Sequence, residues 1–216
     1  MSVIGETQDK RKVPTMLQKL LRYDSQATKK FVDMSHNITA LRSLRIHSKF
    51  LEVSCHGIVW LAGWLSFIWL FHDKELYQLQ VNVLIALLLD IIVIAVLKAF
   101  VRRRRPVPMN KLLPGNPDKY SFPSGHSSRA AVIAFILICI DPISFIFYPP
   151  LLAWVGAVAL SRVLSERHYF LDVFGGLGIG VLEGLFMSLI WFSQSTAISI
   201  ISMLSDEKKD GGEYHV

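Results

Sequence analysis

Cysteine is nearly absent from the 216-residue chain: there are only two, Cys55 and Cys139, both inside apolar stretches. Two such residues exclude a disulfide framework and any cysteine-based zinc spacing, and they read as small buried hydrophobes. Charge is scarce as well. Charged residues make up 19% of the chain against 52% hydrophobic residues, and the mean hydropathy is +0.40. That leaves too little polar surface to coat a water-soluble domain, so lipid is the expected solvent. No signal peptide is expected, because the leading MSVIGETQDKRKV is polar and basic with no apolar core. Insertion then falls to the first spanning helix. The chain has no internal repeat and no low-complexity tract.

What charge there is lies unevenly. The net charge is +6 and the pI is near 9.4, yet about 20 of the 23 Lys and Arg fall in residues 1–50, in 98–129, or at Arg162 and Arg167. No nucleic-acid-binding motif accompanies them, so a nucleic-acid partner is not expected. The pattern is that of membrane sidedness.

Five apolar stretches are the candidate spans: about 51–71, 79–100, 126–140, 143–164 and 168–192. Most are long enough, at 1.5 Å per residue, to cross a core of roughly 30 Å; the third is short. Asp141-Pro142 marks a turn, and Pro149-Pro150 marks the start of the fourth helix or a kink in it. The expected fold is therefore all-α, a multi-pass transmembrane bundle of about five helices. Residues 1–50 form a cytosolic tail and an interfacial helix, 51–204 the membrane domain, and 205–216 a polar tail. Between Pro14 and Asn37, apolar Met16, Leu17, Leu20 and Leu21 alternate with Lys19, Arg22, Lys29 and Lys30. This suits a helix lying on anionic head groups or one packed on the rest of the protein. The positive-inside rule places the basic end of the bundle in the cytosol.

Three polar clusters fall at helix ends on that one side. Lys98-AFVRRR-Arg105-Pro106 closes the second helix, Pro123-Ser124-Gly125-His126 opens the third, and Ser161-Arg162 closes the fourth, with His168 and Asp172 opening the fifth. Lys98, Arg105 and Arg162 supply three cations, and arginines grip a phosphoryl group with paired hydrogen bonds. Ser124 and the Gly125 amide sit at a helix N-terminus, which favours an anion. His168 and Asp172 are four apart on one helix face, so the carboxylate can hold the imidazole while its other nitrogen attacks. His126 is a second imidazole, suited to protonate a leaving oxygen. This chemistry needs no metal and no other cofactor.

The arrangement resembles the type 2 phosphatidic acid phosphatase superfamily, whose signature of K-x6-RP, PSGH and SR-x5-H-x3-D is matched here in order and spacing. The segments HGIVWLAG, LLLD through VRRRRP, and DKYSFPSGH resemble its polyisoprenoid (presqualene-type) diphosphate phosphatase branch. The resemblance implies a lipid phosphatase, with a lipid phosphate or diphosphate as partner and the bilayer as its setting. It implies that His168 forms a phosphohistidine, Asp172 orients it and His126 acts as general acid. It also implies that Lys98, Arg105, Ser124, Gly125 and Arg162 hold the phosphate. The branch further implies the endoplasmic reticulum or nuclear envelope. Broad lipid phosphate hydrolysis, transfer to another alcohol and an inactive scaffold are the competing readings. Members usually carry a small residue, often glycine, two positions before the nucleophile, where this chain has Glu166; that carboxylate must turn away from substrate or pair with Arg167.

The remaining polar residues have plainer expectations. Arg102, Arg103 and Arg104 should snorkel to head groups, and His47 and His56 should be interfacial and inert. Asp90 and Glu183 lie within apolar helices, where a charge normally faces the protein interior. They are expected to act as glue between the second and fifth helices, or as a polar floor to the cavity.

Overall fold

The computed structural model describes residues 14–107 and 119–204. The expected tails at 1–13 and 205–216, and Asp118 of the DKYSFPSGH segment, lie outside them. The described residues form nine α-helices and no strand beyond one isolated bridge between Arg104 and Tyr120. In order they are α1 (Thr15–Ser35), α2 (Thr39–Ile46), α3 (Ser48–Ser54), α4 (Gly57–Leu70), α5 (Tyr77–Val101), α6 (Gly125–Phe135), α7 (Tyr148–Leu164), α8 (Phe170–Leu189) and α9 (Gln194–Leu204).

Among the described residues, three units are long and apolar enough to cross a membrane alone: α5, α7 with its leading turn from Phe145, and α8. Helices α3 and α4 make a fourth if counted together, bent by 49° at residues 55–56. The fifth expected span, α6, continues through a π-helical turn at Ile136–Ile140. Its 16 residues reach only about 24 Å, short of a roughly 30 Å core. Pro149 and Pro150 sit in the first turn of α7, where their missing N–H groups cost nothing, so they start the helix rather than kink it. Helix α9, not anticipated as a separate element, packs Ala197 and Ile201 on Tyr77 and Val81 of α5. Cys55 is buried as expected, whereas Cys139 is exposed.

The centre of the bundle is α5, α6 and α8, with Val83, Leu87, Val132, Ile136 and Met187 in its core. Lipid tails are as apolar as leucine, so close packing rather than water exclusion must hold such helices together. Glycines on one face of α8 permit that contact. A Cβ on Gly176 would stand 2.4 Å from the Ser124 carbonyl oxygen, and one on Gly180 would stand 2.2 Å from that of Ser128. Asp90 adds a polar tie, but to a partner the sequence did not suggest: its Oδ2 accepts from Arg129 Nη2 on α6 at 2.6 Å. Glu183 is buried beside Asp90 and Ser128.

Helix α1 packs on the rest of the protein, one of the two expectations for it. One face, with Asp24, Thr28, Val32 and Ser35, is buried against α7 and α8. The opposite face leaves Met16, Leu20, Tyr23 and Met34 exposed.

Candidate active site

The polar cluster is assembled from helix ends. Helix α5 stops at Val101 because Arg102 takes a left-handed conformation (φ 55°), its N–H closing on the Lys98 carbonyl at 3.1 Å. The chain then runs alongside residues 120–121, where the Ser121 N–H donates to the Arg103 carbonyl at 2.7 Å. Helix α6 opens at Ser124, whose side chain accepts from the Ser127 N–H and from the Ser127 hydroxyl at 3.0 Å. The Ser124 N–H in turn donates to the Asp172 carbonyl at 2.9 Å, fastening the α6 start to the first turn of α8.

A cavity of about 190 Å³ lies among these ends. Lys98, Arg105, Gly125, His126, Arg162 and His168 all line it. Ser124 and Asp172 are fully buried and stand behind it. Sequence reasoning missed several lining residues: Arg167, Glu52, His56 and Arg129. His56 also lines the cavity, its ring edge-on to His126 with centroids 6.2 Å apart. A partial cue was available, since Glu52 and His56 lie four apart in the sequence, a spacing that would put both on one face of an unbroken helix. One wall is apolar, built from Ile91, Ile94 and Ala95 of α5.

Three of the lining arginines have fixed seats. Arg162, at 2% exposure, is held by Glu52 at 3.3 Å and by the Ser48 carbonyl at 3.2 Å. Arg105 donates to the Arg167 carbonyl at 3.4 Å. Arg129 donates to the Cys55 carbonyl at 3.0 Å, while the Cys55 thiol donates to the His126 carbonyl at 3.1 Å. The α3–α4 bend is thereby tied to the first turn of α6.

His168 is 3% exposed and its Nδ1 faces the Ser121 carbonyl at 2.7 Å. A carbonyl can only accept, so Nδ1 carries the proton and Nε2 keeps its lone pair. The Asp172 carboxylate lies 3.9 Å from the same nitrogen, beyond hydrogen-bond reach. It acts there as a nearby charge, and its hydrogen bonds go to the Tyr169 N–H at 2.8 Å and to Arg103 at 2.8 Å. Burial, followed by the positive charges of Arg105 and Lys98, holds the His168 imidazole well below the ordinary histidine pKa. Both effects favour the neutral imidazole.

Arg103 corrects the snorkelling expectation. Its side chain is 11% exposed and bridges Asp24 and Asp172 at 2.7 and 2.8 Å, with its guanidinium 4.1 Å from the Tyr169 ring centroid. Two carboxylate partners inside the protein outweigh the pull of the head-group layer. Glu166 also has a physical reading. It occupies a left-handed conformation (φ 55°), the kind of position that favours glycine, and its carboxylate pairs with Arg45 at 3.1 Å rather than with Arg167.

Residues 79–195 match the PAP2 superfamily, more than half of the chain. The chain belongs to that superfamily. It is 32% identical over 141 residues to a probable lipid phosphate phosphatase beta of Arabidopsis thaliana, covering 53% of this chain and 66% of the relative. It is 29% identical over 120 residues to a dihydrosphingosine 1-phosphate phosphatase of Schizosaccharomyces pombe, covering 47% of this chain and 29% of the relative. The chain thus spans just under two thirds of one curated relative and less than a third of the other. The crystal structure of Aquifex aeolicus LpxE superimposes with a TM-score of 0.55 at 23% identity, covering 73% of this chain and 92% of that one. That likeness bears on the fold alone. Among the described residues there is no group of three or more His, Cys, Asp or Glu able to hold a metal ion.

Proposed function

We propose that this PAP2 superfamily member is an integral-membrane lipid phosphatase that transfers a phosphoryl group through His168 to water, its own cations replacing a metal. The observation that carries this reading is the convergence of Lys98, Arg105, Gly125, His126, Arg162 and His168 on one cavity. Lys98, Arg105 and Arg162 grip the phosphoryl oxygens, and the Gly125 N–H at the start of α6 adds a fixed donor where negative charge builds up. His168 Nε2 forms a bond to phosphorus as the bond to the leaving oxygen breaks, and His126 gives that oxygen its proton. Water then attacks the phosphohistidine, His126 takes the water proton, and the P–N bond breaks to free His168 and inorganic phosphate. Asp172 favours the cationic imidazole as it develops. The Ile91, Ile94 and Ala95 wall provides an apolar path by which the lipid tail stays in the bilayer.

The finer reading is a polyisoprenoid diphosphate or monophosphate of the farnesyl, geranylgeranyl or presqualene type, supported by the HGIVWLAG, LLLD-to-VRRRRP and DKYSFPSGH segments. A broad lipid phosphatase acting on phosphatidic acid or sphingoid phosphates is the second reading, favoured by the names of the two relatives. The excess of Lys and Arg at the site end supports a cytosolic-facing cavity, and the same branch resemblance supports the endoplasmic reticulum or nuclear envelope. The test is phosphate release from a panel of farnesyl diphosphate, presqualene diphosphate, phosphatidic acid and sphingosine 1-phosphate, with chelator present. The proposal expects release by wild type and none by a folded His168→Ala protein. Equal turnover by both would overturn it, and activity that vanishes with chelator would remove the metal-independent part.

A further inference from the structure

Helix α8 begins directly after the nucleophile, and its own sequence caps it only in part: Asp172 Oδ2 accepts from the Tyr169 N–H at 2.8 Å, which leaves the next two N–H groups to be satisfied. Tyr169 stands at the N-cap position, where Ser, Thr, Asp or Asn would normally satisfy the first free N–H groups. The acceptors for those two come from α1, more than 140 residues earlier. The Leu171 N–H donates to Asp24 Oδ1 at 3.2 Å and the Phe170 N–H donates to Thr28 Oγ1 at 3.3 Å. The other Asp24 oxygen accepts from Arg103 Nη2 at 2.7 Å, and Arg103 Nη1 donates to Asp172 at 2.8 Å. Asp24, Arg103 and Asp172 thus form an unbroken chain, nearly closed to solvent, that ends 3.9 Å from His168 Nδ1.

We propose that Asp24 is a positioning residue for His168, so that the interfacial helix α1 is part of the catalytic apparatus. This rests on the phosphohistidine reading above. The carboxylate does two separable things. As an acceptor it holds the first turn of α8, which begins two residues past the nucleophile. As a charge it holds Arg103, whose other arm fixes the Asp172 carboxylate that faces the imidazolium formed during transfer. Neither job touches substrate, so a defect belongs in turnover rather than in phosphate binding. The consequence for the fold is that α1 is a strap whose seating on α8 sets the activity of the site.

Asp24→Asn separates the two jobs, because the amide oxygen can still accept from Leu171 while the charge on Arg103 is lost. Full-length protein in mixed micelles is assayed for phosphate release from farnesyl diphosphate and from phosphatidic acid, with vanadate inhibition as an independent measure of anion binding. The expected result is about a tenfold fall in kcat for Asp24→Asn and a larger fall for Asp24→Ala. The KM and the vanadate inhibition constant should stay within about twofold. In an Arg103→Gln background, Asp24→Asn should cost little more, because both changes break the same link. Asp33→Asn, on the exposed face of α1, should leave activity unchanged. Wild-type kcat in Asp24→Asn, a loss confined to KM, or an undiminished loss in the Arg103→Gln background would each overturn the proposal. Thr28→Val, which removes only the acceptor for Phe170, gives a milder test should Asp24→Ala fail to fold; it too should lower kcat with vanadate binding intact. An inert wild type would instead overturn the phosphatase reading itself, a result distinct from an active wild type indifferent to Asp24.

Discussion

A single methyl group on Gly176 should cripple the site without touching a catalytic side chain. The Cβ of Gly176→Ala would fall 2.4 Å from the Ser124 carbonyl oxygen and 3.2 Å from the Ser127 Cβ. A tolerated carbon-to-oxygen contact is about 3.3 Å or more, so α8 must back away from α6 by about 1 Å or the Ser124 peptide must tilt. That peptide opens the turn bearing Gly125 and His126, whereas α8 follows His168. Either adjustment shifts nucleophile against acid and clamp, and a misplacement of about 1 Å can cost on the order of 100-fold in rate. The overpacking itself should cost about 1–3 kcal/mol, a fall of about 2–4 °C in Tm per kcal/mol for a chain of this size. Gly178→Ala is the matched control, because nothing lies within 4 Å of its Cβ. Alanine there should raise helix stability by up to about 1 kcal/mol and leave turnover alone. Parallel measurement of kcat and thermal unfolding decides the matter. Wild-type turnover in Gly176→Ala, or equal losses in both variants, would refute the packing argument.

Three further predictions follow from particular contacts. The depressed pKa of His168 keeps its imidazole neutral as pH falls, so the acid limb of kcat/KM should lie below pH 6.5, about the ordinary histidine value. Removing the Lys98 charge (Lys98→Met) should move that limb to higher pH, and an unmoved limb would deny the electrostatic coupling. Glu166→Gly should leave Tm nearly unchanged: relief of the left-handed backbone gains about 1 kcal/mol, while loss of the half-exposed Arg45 pair costs up to about 1 kcal/mol. A drop beyond about 5 °C would mean that the ion pair dominates. Asp90→Asn leaves the Arg129 guanidinium without its carboxylate inside the bundle, at a cost of about 3 kcal/mol or more. Unchanged melting and unchanged turnover together would remove Asp90 from any role in the fold or the cavity.

How legible the molecule was depends on the range of each contact. Helix positions and the cluster that lines the cavity could be read because hydropathy and motif spacing are local signals; Lys98, His126, Arg162 and His168 each announce themselves beside a helix terminus. The environments of Arg103 and Asp24 could not be read that way, because their pairing spans 79 residues and links α1 to the linker after α5. The same holds for the distant part of the α8 cap: Asp172, three residues past Tyr169, is a local partner for the Tyr169 N–H, whereas Thr28 and Asp24 lie more than 140 residues away. Arg129 was passed over although it sits one turn past His126, and the three-residue spacing was the cue. The glycines at 176, 180 and 184 were a readable small-residue stripe that specifies close α6–α8 packing. Glu166 was readable as a misfit, but only its backbone angle explains why glycine suits the position. The shortness of α6 was legible in its apolar run, but the bend at residues 55–56 left no sequence signal, so the number of spans was not settled.

The most direct measurement traps the covalent intermediate. Wild-type protein is mixed with a ³²P-labelled lipid phosphate, quenched within milliseconds in alkali and mapped by peptide. The account predicts an alkali-stable, acid-labile label on the peptide containing His168, formed no more slowly than turnover and absent from His168→Ala. Steady phosphate release with no labelled histidine, or a label on any other residue, would contradict it.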